Sequence, residues 1–337
     1  MKPLPPWLDA SRRLLDEALG GARPPHALLL QGAQGLGVEL LAAWTGARVL
    51  CRAAGARPCG RCSSCAAVAR AGHPDLAWVT PLEDSKQIRI DEIRALIADF
   101  ALKSHQGGYK VAILHPADAL NSNAANALLK TLEEPAPKTL LVLVTHLRAR
   151  LPATIVSRCQ RLLIPRPAPA VAKTWLEREL PGYDSSAALR FARGAPLRAL
   201  ELTARDFDSV DRDMQEAITR LRRAALDVPA VADQWTRAAK GALPDRITWL
   251  ETWVTDDIVH AMTDPELRRP GGPAGLPVAH ETLKIRSLYR VLDRLRQIRI
   301  ANTTSLNMTM AVESLLLDLA SALAATAPDK RIAGGRK

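Results

Sequence analysis

The chain has 337 residues, 47% of them apolar and 24% charged, which predicts two or three globular domains. No run of about 18 apolar residues occurs, which excludes a transmembrane helix; Met1 to Trp7 lacks the long apolar core of a secretion signal, so the expected compartment is the cytoplasm. The net charge of +11 has two readings, a polyanionic neighbour such as nucleic acid or simply an Arg-rich composition, because the basic residues are scattered rather than striped.

Residues 7–20 read as an amphipathic helix, with Trp7, Leu8, Leu14, Leu15, Ala18 and Leu19 near one face and Gly20-Gly21 ending it. Ala27–Leu30 is an apolar run of buried-strand length. It leads into Gly32-Ala-Gln-Gly35-Leu-Gly37-Val38-Glu39, and a helix is expected over Val38–Leu50. Strand, glycine loop and helix in that order are the architecture of a phosphate-binding loop, which cradles phosphate with backbone N–H groups at a helix N-terminus. The template asks for Gly, four free positions, Gly, Lys, then Ser or Thr. Gly32 and Gly37 fit it. Val38 stands at the lysine position and cannot donate a charge-assisted bond, and Glu39 stands at the hydroxyl position and brings negative charge. Gly32, Gly35 and Gly37 still offer a phosphate-sized nest, so weak anion binding is possible although no functional ATP site is expected.

Cys51-x7-Cys59-x2-Cys62-x2-Cys65 follows. Clustered thiols in a cytosolic chain indicate metal rather than disulfides. Four thiolates suit tetrahedral zinc and leave no open position for water, so the expected role is structural. His73 is a competing ligand, though Cys51 completes the set without it. Further on come a strand at Leu76–Val79, a helix at Ile88–Leu102, a strand at Lys110–Leu114, a helix at Asn121–Glu134 stopped by Pro135, a strand at Leu140–Val144, a short element over 151–159 and a strand at Leu162–Ile164. Strands alternating with helices predict a parallel sheet covered on both faces. Pro165 to Pro169 is a linker, 170–204 a small helical unit, and from about 208 the pattern is helical throughout. Its stripes are Ile247/Leu250/Val254/Ile258, Leu288/Val291/Leu292/Leu295/Ile298 and Met310 to Leu323, the faces of a bundle. Pro328 to Lys337 is a basic tail expected to be disordered.

Three strings converge: Lys110-Val-Ala-Ile-Leu-His-Pro-Ala-Asp118, Asn126-Ala-Leu-Leu-Lys-Thr-Leu-Glu-Glu-Pro135 and Leu151-Pro-Ala-Thr-Ile-Val-Ser-Arg-Cys159. With the four cysteines just after the glycine-loop helix, they closely resemble the AAA+ subunits of bacterial DNA polymerase III clamp loaders. The resemblance spans residues 1–205 by motif and the remainder by order and length. It implies an α/β plus all-α chain: an AAA+-like parallel-sheet domain over 1–165 with an inserted zinc module at 51–65, a small helical lid over 166–207, a helical collar for oligomerisation over 208–328, and the tail 329–337.

The resemblance also implies a choice of member. In the motor subunits, gamma and tau, the loop ends in Lys-Thr or Lys-Ser and the strand after it ends in Asp-Glu, which hold magnesium and orient water. Here those positions are Val38-Glu39 and His115-Pro116, with Asp118 two positions beyond, and Glu133 and Glu134 at a helix end do not replace them. That resembles the non-hydrolysing member of the ring. Such a member supplies Arg158, of Ser157-Arg158-Cys159, in trans to ATP held by a neighbouring motor subunit, where a planar, permanently charged fork meets the γ-phosphate. The local alternative is that Arg158 pairs with a nearby carboxylate. Thr145 and Arg198 match the two sensor positions and are expected to be vestigial or structural, and Cys159 is expected to be packing.

The implied partners are the gamma/tau motor subunits and the delta subunit, with primed DNA and the sliding clamp reached through the complex, and no membrane. Two other readings stand beside this one. An active AAA+ ATPase with an atypical loop is opposed by Val38, Glu39, His115 and Pro116. A zinc-dependent nucleic-acid-binding regulator lacks a basic recognition element.

Overall fold

The computed structural model describes residues 3–82, 85–205, 207–237, 242–263, 278–301 and 307–324; the tail 329–337 lies outside these. The chain divides into two compact units, Met1–Glu201 and Leu202–Lys337.

The first unit is built on five parallel strands: β1 (Ala27–Gln31), β2 (Leu76–Val79), β3 (Lys110–Leu114), β4 (Thr139–Thr145) and β5 (Gln160–Leu163). Their order across the sheet is β2-β3-β4-β1-β5. The three central strands are apolar nearly throughout because both faces are covered. Alternation sorts their side chains. Ala27, Leu29, Ala112, Leu114, Leu141 and Leu143 share a core with Ile93, Leu96 and Phe100 of α4 (Ile90–Ala101), with Leu128 and Leu132 of α5 (Ser122–Glu133), and with Ile155 of α6 (Ala153–Val156). The opposite face carries α2 (Val38–Leu50). A Cβ on its Gly46 would stand 3.7 Å from Ile113, a residue of that face.

Several local findings differ from the sequence reading. The N-terminal helix begins as a 3-10 turn at Pro6–Leu8 before α1 (Asp9–Gly20), and Leu14 is 55% exposed rather than packed. The cysteine segment contains a helix, α3 (Ser63–Ala69), too short to show a helical period. Strand β5 pairs over Gln160–Leu163, two residues earlier at its start than hydropathy indicates. It is an edge strand whose residues are mostly exposed, so its apolar signal is weak.

Three further helices complete the unit: α7 (Pro169–Glu179), α8 (Ser186–Phe191) and α9 (Pro196–Thr203).

In the second unit the described residues form α10 (Phe207–Arg222), α11 (Val228–Arg237), α12 (Ala242–Thr263), α13 (Val278–Ala301) and α14 (Met308–Ala324). The stripes on α12 and α13 are buried in full. The third begins at Val312, not Met310, whose side chain faces outward. Asp211 is buried because both carboxylate oxygens are satisfied: the Trp249 indole N–H donates to one at 2.6 Å and Gln215 Nε2 to the other at 2.8 Å.

Candidate functional site

Parallel strands place their carboxyl ends on one edge, and a ligand crevice opens where the strand order reverses. Here β1 lies between β4 and β5. Gln31 pairs with Thr145 in register, so Gly32 and His146 leave the sheet side by side. His115 follows β3 at the same edge.

The glycine loop sits at this edge, and its interior is filled by protein. The Gly32 N–H donates to the Thr145 carbonyl at 3.2 Å and is thereby used. A Cβ at Gly32 would stand 2.8 Å from the Val38 side chain. Val38, at the position where the phosphate-loop template asks for lysine, therefore turns inward as packing and is fully buried. Gly35 adopts φ +80°, and a Cβ there would lie 2.3 Å from Arg198 Cβ and 2.6 Å from its backbone nitrogen. The Leu197 N–H donates to the Gly35 carbonyl at 3.1 Å. On another side the Trp7 indole N–H donates to the Leu36 carbonyl at 2.9 Å, and Trp7 meets Trp175 of α7 edge to face with ring centres 5.1 Å apart. The close backbone approach that such glycines permit is used here by α9.

The other expected residues fall around this loop. The Thr145 hydroxyl donates to Asp118 Oδ1 at 2.8 Å, and the His146 backbone N–H donates to the same oxygen at 3.0 Å. Asp118 thus ties off the end of β4. Arg198 pairs with Glu201 at 2.9 Å. Histidine 146 was not singled out by sequence reasoning. Its Nδ1–H donates to the Gly32 carbonyl at 3.0 Å, and its Nε2 lies 3.3 Å from Nε2 of His115. Burial pushes the His115 imidazole below its usual range, His146 adds to this, and Glu39 and Asp118 oppose it more weakly.

Arg158 lies in the turn between α6 and β5. Its guanidinium donates to Glu133 at 2.6 Å and to the Thr154 carbonyl at 3.0 Å. Its side chain keeps 35% exposure and that of Glu133 keeps 50%. A screened surface pair of this kind is worth about 0–1 kcal/mol and is easily exchanged. The neighbouring Ser157, though not Arg158 itself, lines an open groove of about 790 Å³ together with Gln31, Arg148, Arg161 and the buried Cys159.

The four cysteines form a separate centre. All four Sγ atoms lie within 4.8 Å of one another, and the pairs Cys51–Cys62 and Cys59–Cys65 are each 4.0 Å apart. A tetrahedron with metal–sulfur bonds of about 2.3 Å has edges of about 3.8 Å, so the donor set fits zinc. Backbone N–H groups of Cys59, Cys62 and Cys65 each donate to a preceding cysteine sulfur at 3.4 Å. Such bonds stabilise thiolate; the Cys65 N–H foremost holds the Cys62 thiol down at about 6. His73 is not a ligand, for both ring nitrogens are engaged. Its Nδ1 accepts from the Asp75 N–H at 3.0 Å, which leaves the proton on Nε2, and Nε2 donates to Ser64 Oγ at 2.7 Å. Ser64 then donates to the Leu50 carbonyl at 2.7 Å, fastening the module to the end of α2.

Fold and site together define a class: a parallel α/β domain with a glycine loop between β1 and α2 that runs into Val38-Glu39. The family model described as DNA polymerase III, delta subunit, matches residues 9–168. The chain is 33% identical to the DNA polymerase III subunit delta′ of Pseudomonas aeruginosa over 332 residues, 95% of this chain and 98% of that one. It is 30% identical to the subunit delta′ of Escherichia coli K12 over 320 residues, 93% and 94% of the two chains. A shorter match, 32% over 146 residues, is to the tau/gamma subunit of Haemophilus influenzae and covers 43% of this chain and 21% of that one. The chain belongs to the DNA polymerase III delta′ subunit family.

Proposed function

We propose that this chain is the clamp-loader member that no longer hydrolyses ATP and instead completes a ring of AAA+-like subunits. The single observation that carries this reading is the state of the glycine loop: Val38 fills it from within, and Leu197 and Arg198 close on Gly35 where a phosphate would have to approach. Residues 1–165 form the AAA+-like domain, 166–207 the lid and 208–328 the collar through which it joins the gamma/tau and delta subunits in the cytoplasm. The cysteine centre carries structural zinc and takes no part in chemistry.

Arg158 then acts in trans on a neighbour's ATP. In the isolated chain Glu133 holds it in place, and the weakness of that exposed pair lets a γ-phosphate displace it. Arg148 and Arg161, along the adjoining groove, favour an approaching anion.

The test is a complex reconstituted with Arg158→Ala. DNA-stimulated ATP hydrolysis by the motor subunits should fall about tenfold or more; comparable arginines in GTPases supply on the order of 10³–10⁵. Unchanged hydrolysis overturns the assignment. Magnesium-dependent hydrolysis by the isolated chain would favour the active-motor reading instead. Native mass spectrometry tests the metal centre: Cys62→Ser with Cys65→Ser should lose one zinc equivalent relative to the unsubstituted chain, and an unsubstituted chain free of zinc rejects it.

A further inference from the structure

Glu39, His115 and His146 each offer one potential ligand atom, and these atoms all lie within 4.8 Å of one another. They come from three elements that meet only in the folded chain: the first turn of α2, the end of β3 and the end of β4. We propose that they form a second metal site, a two-histidine, one-carboxylate centre for a divalent first-row transition cation of the zinc type, standing where the nucleotide chemistry of the glycine loop has been lost.

The geometry supports it at each ligand. The two Nε2 atoms are 3.3 Å apart. A tetrahedral ion with metal–nitrogen bonds of about 2.0–2.1 Å has ligand edges of about 3.3–3.4 Å, so the pair is already at chelating distance. His146 is oriented as a ligand should be. Its Nδ1 proton is donated to the Gly32 carbonyl at 3.0 Å, which leaves Nε2 as a bare lone pair. Asp118 holds the backbone that carries His146 through the amide N–H, and so fixes the end of β4. The two rings stand at 87° to one another with centroids 5.5 Å apart. Glu39 supplies the one negative charge, from a helix N-terminus that favours it.

Imidazoles with one carboxylate suit zinc or cobalt and not magnesium, which takes oxygen ligands. With His146 Nε2 as acceptor, the proton between the two Nε2 atoms sits on His115 Nε2; binding requires His115 to take its other tautomer, with the proton on Nδ1. Three protein ligands leave a position open to water or an anion.

The site is tested on the full chain. Crystals of the unsubstituted protein equilibrated with micromolar Zn2+ should give an anomalous peak bounded by Glu39, His115 and His146. Its absence overturns the proposal whatever the cysteine centre holds. In equilibrium dialysis against Zn2+, His146→Gln and His115→Gln should each bind one equivalent fewer than the unsubstituted chain, and Glu39→Gln should bind that equivalent at least tenfold more weakly. A zinc count unaffected by both histidine substitutions also overturns it.

Discussion

Gly35→Ala separates two reasons for a glycine at that position. If the residue is there to let phosphate approach, alanine costs a chain without nucleotide only the strain of its backbone conformation. If it is there because α9 packs against it, alanine adds a packing cost to that strain. Two costs add. Forcing an L side chain into φ +80° costs about 1–2 kcal/mol. The new Cβ would also meet Arg198 Cβ at 2.3 Å, its nitrogen at 2.6 Å and its Cα at 2.9 Å, and no rotamer change relieves contacts with backbone. Overpacking of that kind costs about 1–3 kcal/mol, for a total of about 2–5 kcal/mol.

Gly107→Ala is the matched control. Its φ is +73°, yet nothing lies within 4 Å of the added Cβ, so it bears the conformational cost alone. The difference between the two variants is then about 1–3 kcal/mol. In urea, with m near about 3 kcal/mol/M for a unit of this size, the midpoint of Gly35→Ala should lie about 0.3–1 M below that of Gly107→Ala. The measurement is equilibrium urea unfolding of the full chain by far-ultraviolet circular dichroism, without nucleotide. Coincident midpoints refute the argument that α9 occupies the loop.

Two further substitutions test the elements around these sites. Asp211→Ala strands the buried Trp249 indole N–H and should weaken the second unit by about 1–3 kcal/mol, read as lost hydrogen-exchange protection in α10 and α12; protection unchanged from the unsubstituted chain would mean the bond contributes nothing. His73 is held below its ordinary 6.5 by burial, with the Asp75 charge opposing. The unfolded chain therefore takes up the proton first, so the stability contributed by His73 is complete above about pH 6.5 and is lost as pH falls through the lower folded value. His73→Asn, which keeps an acceptor but cannot titrate, should flatten the acid side of the thermal-midpoint profile, and an unaltered slope would remove His73 as its source.

The local patterns of the chain were enough to establish several things. Apolar runs of strand length between helical periods specify a parallel sheet, because a strand buried on both faces cannot alternate. The stripes on α12 and α13 specify buried faces, since a 3.6-residue period leaves one side of a helix without water. The spacing of Cys51, Cys59, Cys62 and Cys65 specifies a donor set, because short loops confine the thiols to one region. The absence of lysine and hydroxyl at Val38 and Glu39 can be read directly, for a missing functional group needs no coordinates. Edge strand β5 and the short helix α3 were less legible: one has little apolar surface to bury, and the other spans too few turns to display a period.

Only the tertiary structure decided what fills the loop and what gathers beside it. Leu197 and Arg198 lie more than 150 positions from Gly35, and no local pattern records that α9 closes upon it. His146 reads in sequence as one polar residue after a strand. It becomes a ligand candidate because parallel register sets the ends of β1 and β4 side by side, so that its Nδ1 meets the Gly32 carbonyl and its Nε2 meets His115. The partner of Arg158 is likewise a product of folding: α5 and the turn before β5 bring Glu133 to it from 25 positions away. Local sequence sets backbone period and the chemistry available at each position; which groups face one another depends on the sheet order, which long-range pairing alone determines.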